Sequence, residues 1–121
     1  MSKALLEDLT WRGLIAQSTD AKELEAALSK PISLYVGFDP TAPSLHLGNL
    51  VVLLVLKRFQ LAGHRPIPLV GGATGLVGDP SGKNEERTLN DEKVVTDWVA
   101  KIKKQLEKVI DFSDKKTGAI M

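Results

Sequence analysis

The sequence predicts an α/β fold in which a parallel sheet is preceded by short N-terminal helices. Two segments rich in strand-forming residues, 32–38 and 67–71, flank an apolar segment with helical spacing, 44–62. A glycine-rich stretch follows the second strand, and residues 91–110 again carry apolar side chains at helical spacing. Strand, helix, strand, glycine loop and helix in this order are typical of a parallel sheet, because parallel strands need a crossover connection between them.

The first 31 residues predict two short helices. Closely spaced leucines indicate the first helix, which we expect to end near Gly13. Thr19 or Asp20 can cap the second helix, and Pro31 stops it because proline cannot continue a helix. We therefore expect a helical segment over residues 1–31, followed by a sheet-containing domain over residues 32–121.

The long apolar helix should begin after the turn that ends the first strand, with Ser44 as its N-cap and Gly63 as its stop. Because this helix is apolar on most sides, we expect most of it to be buried. In the second strand, Pro68 has no N–H to donate. Its backbone should therefore face away from a neighbouring strand.

The last helix is predicted to have Asn90 as its cap. Lys101, Lys104 and Lys108 line the side opposite its apolar stripe. A stripe of lysines can bind nucleic acid, but a solvated helix face is the favoured interpretation.

Composition argues against several classes of function. Sixteen basic residues against fifteen acidic ones leave a net charge of +1, which argues against a small, dedicated nucleic-acid module. The chain has no cysteine, and His46 and His64 are too far apart to suggest a metal pair, so no protein-bound metal is expected. The chain start has acidic residues and no long apolar run. We therefore expect a cytoplasmic protein without a signal peptide or membrane span.

The first segment that suggests chemistry covers residues 35–49, where a strand runs through a turn into a helix start. Free N–H groups and the helix dipole favour a phosphate at such a point. His46 and Asn49 are three residues apart, so both can donate hydrogen bonds toward one phosphate chain. Gly48 lies between them without a side chain, which leaves room for a flat base. A helix start with a polar surface histidine fits this spacing equally well.

The second segment is the glycine loop over residues 71–80, with the cations that follow it. It is not a P-loop, because its glycine spacing is one residue short and Asn84 stands where a magnesium-binding hydroxyl is needed. Asp79 can pair with a substrate amine, and Lys83 and Arg87 can close over a polyphosphate. A turn aspartate and ordinary exposed charges are the alternatives.

Taken together, the two segments resemble the tyrosyl-tRNA synthetases, class I enzymes with a Rossmann-like catalytic domain. The resemblance is carried by residues 34–48, by residues 69–83 and by the Glu-Arg-Thr-Leu-Asn run over 86–90. His46-Leu47-Gly48-Asn49 corresponds to the class I "HIGH" signature. The resemblance extends over essentially the whole chain. It implies that residues 32–121 are the first part of the catalytic domain that binds ATP and tyrosine.

The resemblance implies a tyrosine–tRNA ligase, which uses ATP to convert L-tyrosine into tyrosyl-adenylate and then transfers it to tRNA(Tyr). Tyr35 would bind the phenol of the substrate and Asp79 its ammonium group. Thr41 and His46 would hold the leaving pyrophosphate. The catalytic set that the resemblance implies is Thr41, His46, Asn49, Lys83 and Arg87, and its ATP-binding set is Gly37, Asp39, Thr41, His46, Gly48 and Asn49. Mg²⁺ would accompany ATP.

Three positions depart from the commonest pattern of this family. Asn49 stands where a second histidine is usual, Val36 where a cysteine is frequent, and Pro43 where an aspartate is frequent. Asn49 keeps a hydrogen-bond donor at similar reach, so we expect function to survive. The family's "KMSKS" loop, its remaining tyrosine-pocket residues, its anticodon-binding region and most of its dimer contacts are expected beyond Met121. We therefore expect a fragment with little activity, cut from a homodimeric parent.

Two alternatives are retained. The sister family, the tryptophanyl-tRNA synthetases, commonly has the H-x-G-N spacing, but Tyr35 and the Gly-Phe-Asp-Pro-Thr-Ala run over residues 37–42 argue against it. A truncated, non-catalytic module that binds a nucleotide or a partner protein is the other alternative. Pyrophosphate exchange that depends on tyrosine, on tryptophan or on neither would separate the three.

Overall fold

A computed structural model describes residues 2–40, 42–71 and 92–114. The predicted α/β order is confirmed. The predicted glycine loop from residue 72 onward and the predicted cap Asn90 lie outside the described residues. In chain order the elements are α1 (Ser2–Trp11), α2 (Ala21–Ala27), β1 (Ser33–Phe38), α3 (Leu47–Leu61), β2 (Arg65–Val70) and α4 (Glu92–Glu107).

The two N-terminal helices end and begin where the sequence predicts. Gly13 has φ +69°, and the bonds from the Gly13 N–H to Thr10 O and from the Leu14 N–H to Leu9 O close α1. At the start of α2, Asp20 Oδ1 accepts the N–H groups of Lys22 and Glu23, each over 3.0 Å. Asp20 is therefore the cap, and Thr19 is not.

Both N-terminal helices pack beside α3 in a cluster of buried side chains: Leu5, Leu9, Leu28 and Phe59. An ion pair joins α1 to α3 as well, because Asp8 Oδ2 lies 2.8 Å from Arg58 Nη1. These contacts attach the helical segment to the helix whose other end carries the candidate site.

The strands β1 and β2 are parallel, with Ser33 opposite Arg65 and Phe38 opposite Val70. The Arg65 N–H donates to Ile32 O over 2.9 Å, and the Gly71 N–H donates to Phe38 O over 3.0 Å. Odd-numbered residues of β2 therefore face β1, and even-numbered residues face the opposite edge.

Two prolines occupy even-numbered positions of β2, so neither breaks the ladder with β1. This confirms the expectation for Pro68, and Pro66 lies within the strand as well. The outer edge of β2 has no N–H at either position, whereas the outer edge of β1 keeps the N–H groups of Ser33, Tyr35 and Gly37. The outer edge of β1 therefore offers more main-chain donors to a further strand than that of β2.

One face of this small sheet is covered and the other is open. Phe38 packs with side chains of α3 and α4 in a second buried cluster: Phe38, Leu53, Leu56, Ile102, Leu106 and Ile110. The opposite face carries Tyr35, which is 72% exposed, and Leu69, which is 49% exposed. No described element covers that face.

Two expectations about α3 are wrong. The helix begins at Leu47 with His46 as its N-cap, because the Ser44 hydroxyl is engaged with Leu45 O and with Gln105 instead. Only part of the helix is buried. A stripe of apolar side chains at helical spacing remains exposed among the described residues: Leu47, Leu50, Val51, Leu54 and Leu61.

Three element bounds also differ by a few residues from those expected. β1 begins one residue later than predicted, and β2 spans Arg65–Val70, because pairing with β1 starts at Arg65 and ends at Val70. The last helix ends at Glu107, three residues before the predicted end. Lys101 and Lys104 of α4 and Lys108 just after it are exposed, which agrees with a solvated face.

Candidate active site at the start of α3

The residues singled out from the sequence lie around the carboxyl end of β1 and the start of α3. β1 delivers Tyr35 and Gly37, the turn after it carries Asp39, and α3 begins with His46 and Asn49. Because β2 is parallel to β1, its end at Val70 reaches the same edge of the sheet. Ligands of open α/β sheets bind at this edge.

His46 and Asn49 hold each other in a reciprocal cap. The Asn49 N–H donates to His46 Nδ1 over 3.2 Å, and the His46 N–H donates to Asn49 Oδ1 over 3.2 Å. Two main-chain donors of the helix start are thereby satisfied by the two side chains. The three-residue spacing of His46 and Asn49, which predicts a shared phosphate site, is therefore also the spacing of a capping box.

The cap determines which polar atoms remain available. Because His46 Nδ1 accepts a hydrogen bond, the neutral ring carries its proton on Nε2, and this atom is a donor. Because Asn49 Oδ1 accepts a hydrogen bond from the cap, the N–H donors on Asn49 Nδ2 stay available. The N–H groups of Leu47 and Gly48 have no acceptor within the helix. The helix start thus presents donors to an anion, and the helix dipole adds to the attraction.

Gly48 lies close against the ring of His46. A Cβ on Gly48 would lie 3.1 Å from both Cε1 and Nδ1 of the imidazole. The space over Gly48 is therefore filled by the side chain of the cap itself, whereas the sequence indicated room for a base there. A contact between Gly48 and ATP stays a prediction.

Tyr35 and Gly37 share the open face of the sheet. Tyr35 is 72% exposed, and a Cβ built on Gly37 would meet no atom within 4 Å. Main chain and phenol are therefore accessible on the same side of β1. Among the described residues, nothing encloses the phenol on the side away from the sheet.

Sequence reasoning missed Gln105, a residue of α4 that contacts the segment leading into the cap. Gln105 Oε1 accepts the Leu45 N–H over 2.8 Å, and Gln105 Nε2 donates to Ser44 Oγ over 3.1 Å. A signal was present, because Gln105 is a polar residue on the apolar stripe of its helix, three positions after Ile102. A polar group there needs a partner.

Four of the predicted site residues lie outside the described residues: Thr41, Asp79, Lys83 and Arg87. Their roles stay predictions. Within residues 2–40, 42–71 and 92–114, no group of three or more histidine, aspartate or glutamate side chains is placed to hold a metal ion. No helix in the described part is both long enough and apolar enough to cross a membrane.

A family model described as tRNA synthetases class I (W and Y) matches residues 27–119. The match covers most of the chain and includes β1, α3, β2 and α4. The chain therefore belongs to the class I tRNA synthetases of the tryptophan and tyrosine group.

Within that group, the chain is similar to tyrosine–tRNA ligases. It is 62% identical over 115 residues to the tyrosine–tRNA ligase of Acidothermus cellulolyticus and 61% identical over 118 residues to tyrosine–tRNA ligase 1 of Bacillus licheniformis. These alignments cover 94% and 97% of this chain but only 27% and 28% of the relatives. The chain thus spans somewhat more than a quarter of the length of the relatives it matches.

A solved structure agrees with this assignment. The C-terminally truncated mitochondrial tyrosyl-tRNA synthetase of Aspergillus nidulans matches with a TM-score of 0.72 and 35% sequence identity, over 86% of this chain and 29% of that one. The fold described above is therefore that of part of a tyrosyl-tRNA synthetase.

Proposed function

We propose that this chain is the part of a tyrosine–tRNA ligase that binds ATP and the phenol of L-tyrosine. The observation that carries the proposal is the helix start of α3. Its His46–Asn49 cap uses the acceptor atoms of both side chains and leaves their donors available. Such a group of donors suits the polyphosphate of ATP, and it lies at the end of the strand that carries Tyr35.

The proposed chemistry needs no nucleophile from the protein. A carboxylate oxygen of tyrosine attacks the α-phosphorus of ATP, the bond to the bridging oxygen of the β-phosphate breaks, and pyrophosphate leaves. Negative charge therefore grows on the pyrophosphate, and fixed donors at the helix start stabilise it without reorganising. His46 Nε2 and Asn49 Nδ2 are the side-chain donors that we assign to this task, together with Thr41, Lys83 and Arg87.

Substrate recognition is assigned to the open face of β1. The Tyr35 hydroxyl would hydrogen-bond the phenol of the substrate, and Asp79 its ammonium group. Gly37 and Asp39 would lie near the ribose and the α-phosphate, because Gly37 leaves the main chain accessible. Transfer to tRNA(Tyr) follows when a 3′-terminal hydroxyl of the tRNA attacks the tyrosyl carbonyl and AMP leaves.

The remaining parts of the proposal concern the longer protein. Mg²⁺ would arrive with ATP, the active form would be a homodimer, and the protein would act in the cytoplasm, where tRNA is charged. We expect weak activity from the 121-residue chain alone, because Tyr35 is 72% exposed and no described residue walls its phenol in as a selective pocket needs.

The experiment is a chimera in which this chain replaces the matching 118 residues of Bacillus licheniformis tyrosine–tRNA ligase 1. We expect pyrophosphate exchange that depends on tyrosine. Exchange that depends on tryptophan would favour the sister family. No exchange from a folded chimera would favour a module without catalysis.

A second variant tests the pocket itself. Replacing Tyr35 by Phe in the chimera should lower the preference for tyrosine over phenylalanine about ten-fold, because the substrate phenol loses a hydrogen-bond partner. Ser33→Ala is the matched control, since Ser33 lies two residues earlier on the same exposed face of β1. An unchanged preference in Tyr35→Phe would remove Tyr35 from the pocket.

A further inference from the structure

Gln105 connects two parts of the chain that are 60 residues apart in sequence. Its side chain, on α4, uses both of its polar atoms to contact the two residues just before the cap of α3, one at the main chain and one at a hydroxyl. Oε1 accepts the Leu45 N–H over 2.8 Å, and Nε2 donates to Ser44 Oγ over 3.1 Å. The orientation of the amide is fixed by chemistry, because a main-chain N–H can only meet the oxygen.

The contact continues from Ser44 into the peptide group that carries the cap. Ser44 Oγ donates to Leu45 O over 3.1 Å, and Leu45 O belongs to the same peptide plane as the His46 N–H. That N–H donates to Asn49 Oδ1 over 3.2 Å. The peptide between residues 45 and 46 is thus held at its carbonyl through Ser44 and Gln105, and at its N–H by Asn49.

This chain of contacts bears on the ring of His46. Its imidazole is exposed, and within the described residues its hydrogen bond is the one that Nδ1 accepts from Asn49. If the peptide before His46 rotates, both bonds of the cap change together, because each uses a main-chain or side-chain group of His46. The direction in which Nε2 points therefore depends on the segment that Gln105 holds.

We propose that Gln105 is a positioning residue for the anion site at the start of α3. Its hydrogen bonds are to Ser44 and Leu45, next to the cap and not part of it. It fixes the main chain of residues 44 and 45 so that the His46–Asn49 cap forms and its remaining donors converge. The inference rests on the proposed function only for the nature of the ligand.

The chain offers a matched control in Gln60. Gln60 is a second glutamine on a core-facing helix stripe, and both of its polar atoms form hydrogen bonds to distant residues, in this case to main chain. Its Nε2 donates to Asp111 O over 2.6 Å, and its Oε1 accepts the Asp111 N–H over 3.0 Å. Gln60→Met and Gln105→Met each remove such a pair of bonds and keep the length of the side chain, but only Gln105 lies beside the cap.

The test compares the 121-residue chain with Gln105→Met and Gln60→Met by NMR. In the unaltered chain, we expect one His46 tautomer, with the proton on Nε2, in long-range ¹H–¹⁵N spectra. We expect a mixture of tautomers, and exchange of the Asn49 amide at least about five-fold faster, in Gln105→Met only. The affinity for inorganic pyrophosphate should fall about five-fold in the same variant.

Each result decides one question. A Gln105→Met spectrum with the His46 ring unchanged overturns the positioning role, and so does an equal change in Gln60→Met. If the unaltered chain does not bind pyrophosphate, the proposed function fails at this site. The role of Gln105 is then decided by the ring spectra and the Asn49 exchange, neither of which needs a ligand.

Discussion

The two ends of α3 carry the two histidines of the chain, and the two rings make the same contact in opposite surroundings. At the start, His46 Nδ1 accepts the Asn49 N–H over 3.2 Å in an exposed ring. Just after the end, His64 Nδ1 accepts the Ile32 N–H over 3.2 Å in a ring that is 3% exposed. The same hydrogen bond therefore fixes a ring that faces solvent at one end and a ring inside the fold at the other.

The difference extends to the main chain. At the end of α3, Gly63 adopts φ +98°, its N–H donates to Gln60 O, and the His64 N–H donates to Phe59 O. The His64 ring packs against Phe59 with a centroid distance of 6.0 Å. This arrangement satisfies the main-chain N–H groups of Gly63 and His64 within the fold, whereas the first N–H groups of the helix have no acceptor inside it. One end of α3 is closed within the fold, and the other is the end that we propose binds the anion.

The largest expected effect is on the free energy of unfolding when His64 is replaced by Ala. The Ile32 N–H loses its acceptor and a cavity opens beside Phe59, so we expect a loss of about 3 kcal/mol. His46→Ala removes only an exposed cap, and we expect a loss of about 1 kcal/mol. Urea unfolding of both variants checks the difference. Equal losses would contradict the division of α3 into a binding end and a structural end.

The next largest expected effect on stability comes from a matched pair of glycine substitutions. Gly63→Ala places a side chain at φ +98° and should destabilise the fold by about 1–2 kcal/mol. Gly48→Ala adds a Cβ that would lie 3.1 Å from the His46 ring. There, the better helix propensity of alanine offsets the disturbed cap, so the net change in stability should be under about 1 kcal/mol.

For pyrophosphate binding we expect the reverse order, with the larger effect in Gly48→Ala. Gly48→Ala should weaken pyrophosphate binding, because the His46 ring must shift away from the added Cβ, whereas Gly63→Ala should leave binding unchanged in the folded fraction. Thermal unfolding and pyrophosphate titration on both variants check this pair of outcomes. Binding that survives Gly48→Ala would show that the position of the ring is unimportant.

The same comparison shows where prediction from sequence succeeds. Gly63 marks the end of α3 correctly, because a helix stop at glycine depends on one residue and its local backbone. Asp20 likewise caps α2 through a side chain two and three residues from its partners. Pro68 is compatible with β2 because its missing N–H faces the outer edge. The sequence shows that a proline in this strand needs such an orientation, and the register of the two strands shows that Pro68 has it.

The start of α3 was predicted two residues too early, because its position depends on a long-range contact. Ser44 has the side chain of a good cap, but its hydroxyl is occupied by Leu45 O and by Gln105 from α4. His46 then takes the role of cap with Asn49. The burial of α3 was overestimated for a related reason, since an apolar helix face is covered only if another element reaches it. The local sequence determines which residues can cap or bury a helix, and contacts with distant residues determine which of them do so.

The smallest expected effect is a pH dependence of stability that comes from the buried ring of His64. Burial lowers the pKa of His64 below its ordinary value of 6.5, because desolvation disfavours the charged ring. Between the pKa of the folded chain and the ordinary value of 6.5, the unfolded chain binds more protons than the folded chain. The free energy of unfolding therefore rises with pH in this interval. The full contribution is present above pH 6.5 and decreases as the pH falls toward the folded pKa. Protonation also places a hydrogen on Nδ1, which can then no longer accept the Ile32 N–H.

The check is urea unfolding between about pH 5 and pH 7 on the unaltered chain and on His64→Gln. His64→Gln keeps an acceptor but does not titrate, so its midpoint should vary less with pH. Asp111 does not interfere, because hydrogen bonds from Ser113 lower the pKa of its carboxyl below 3.8, outside this range. A pH dependence that persists in His64→Gln would show that the buried ring is not its source, and the contrast between the two histidines would then rest on packing alone.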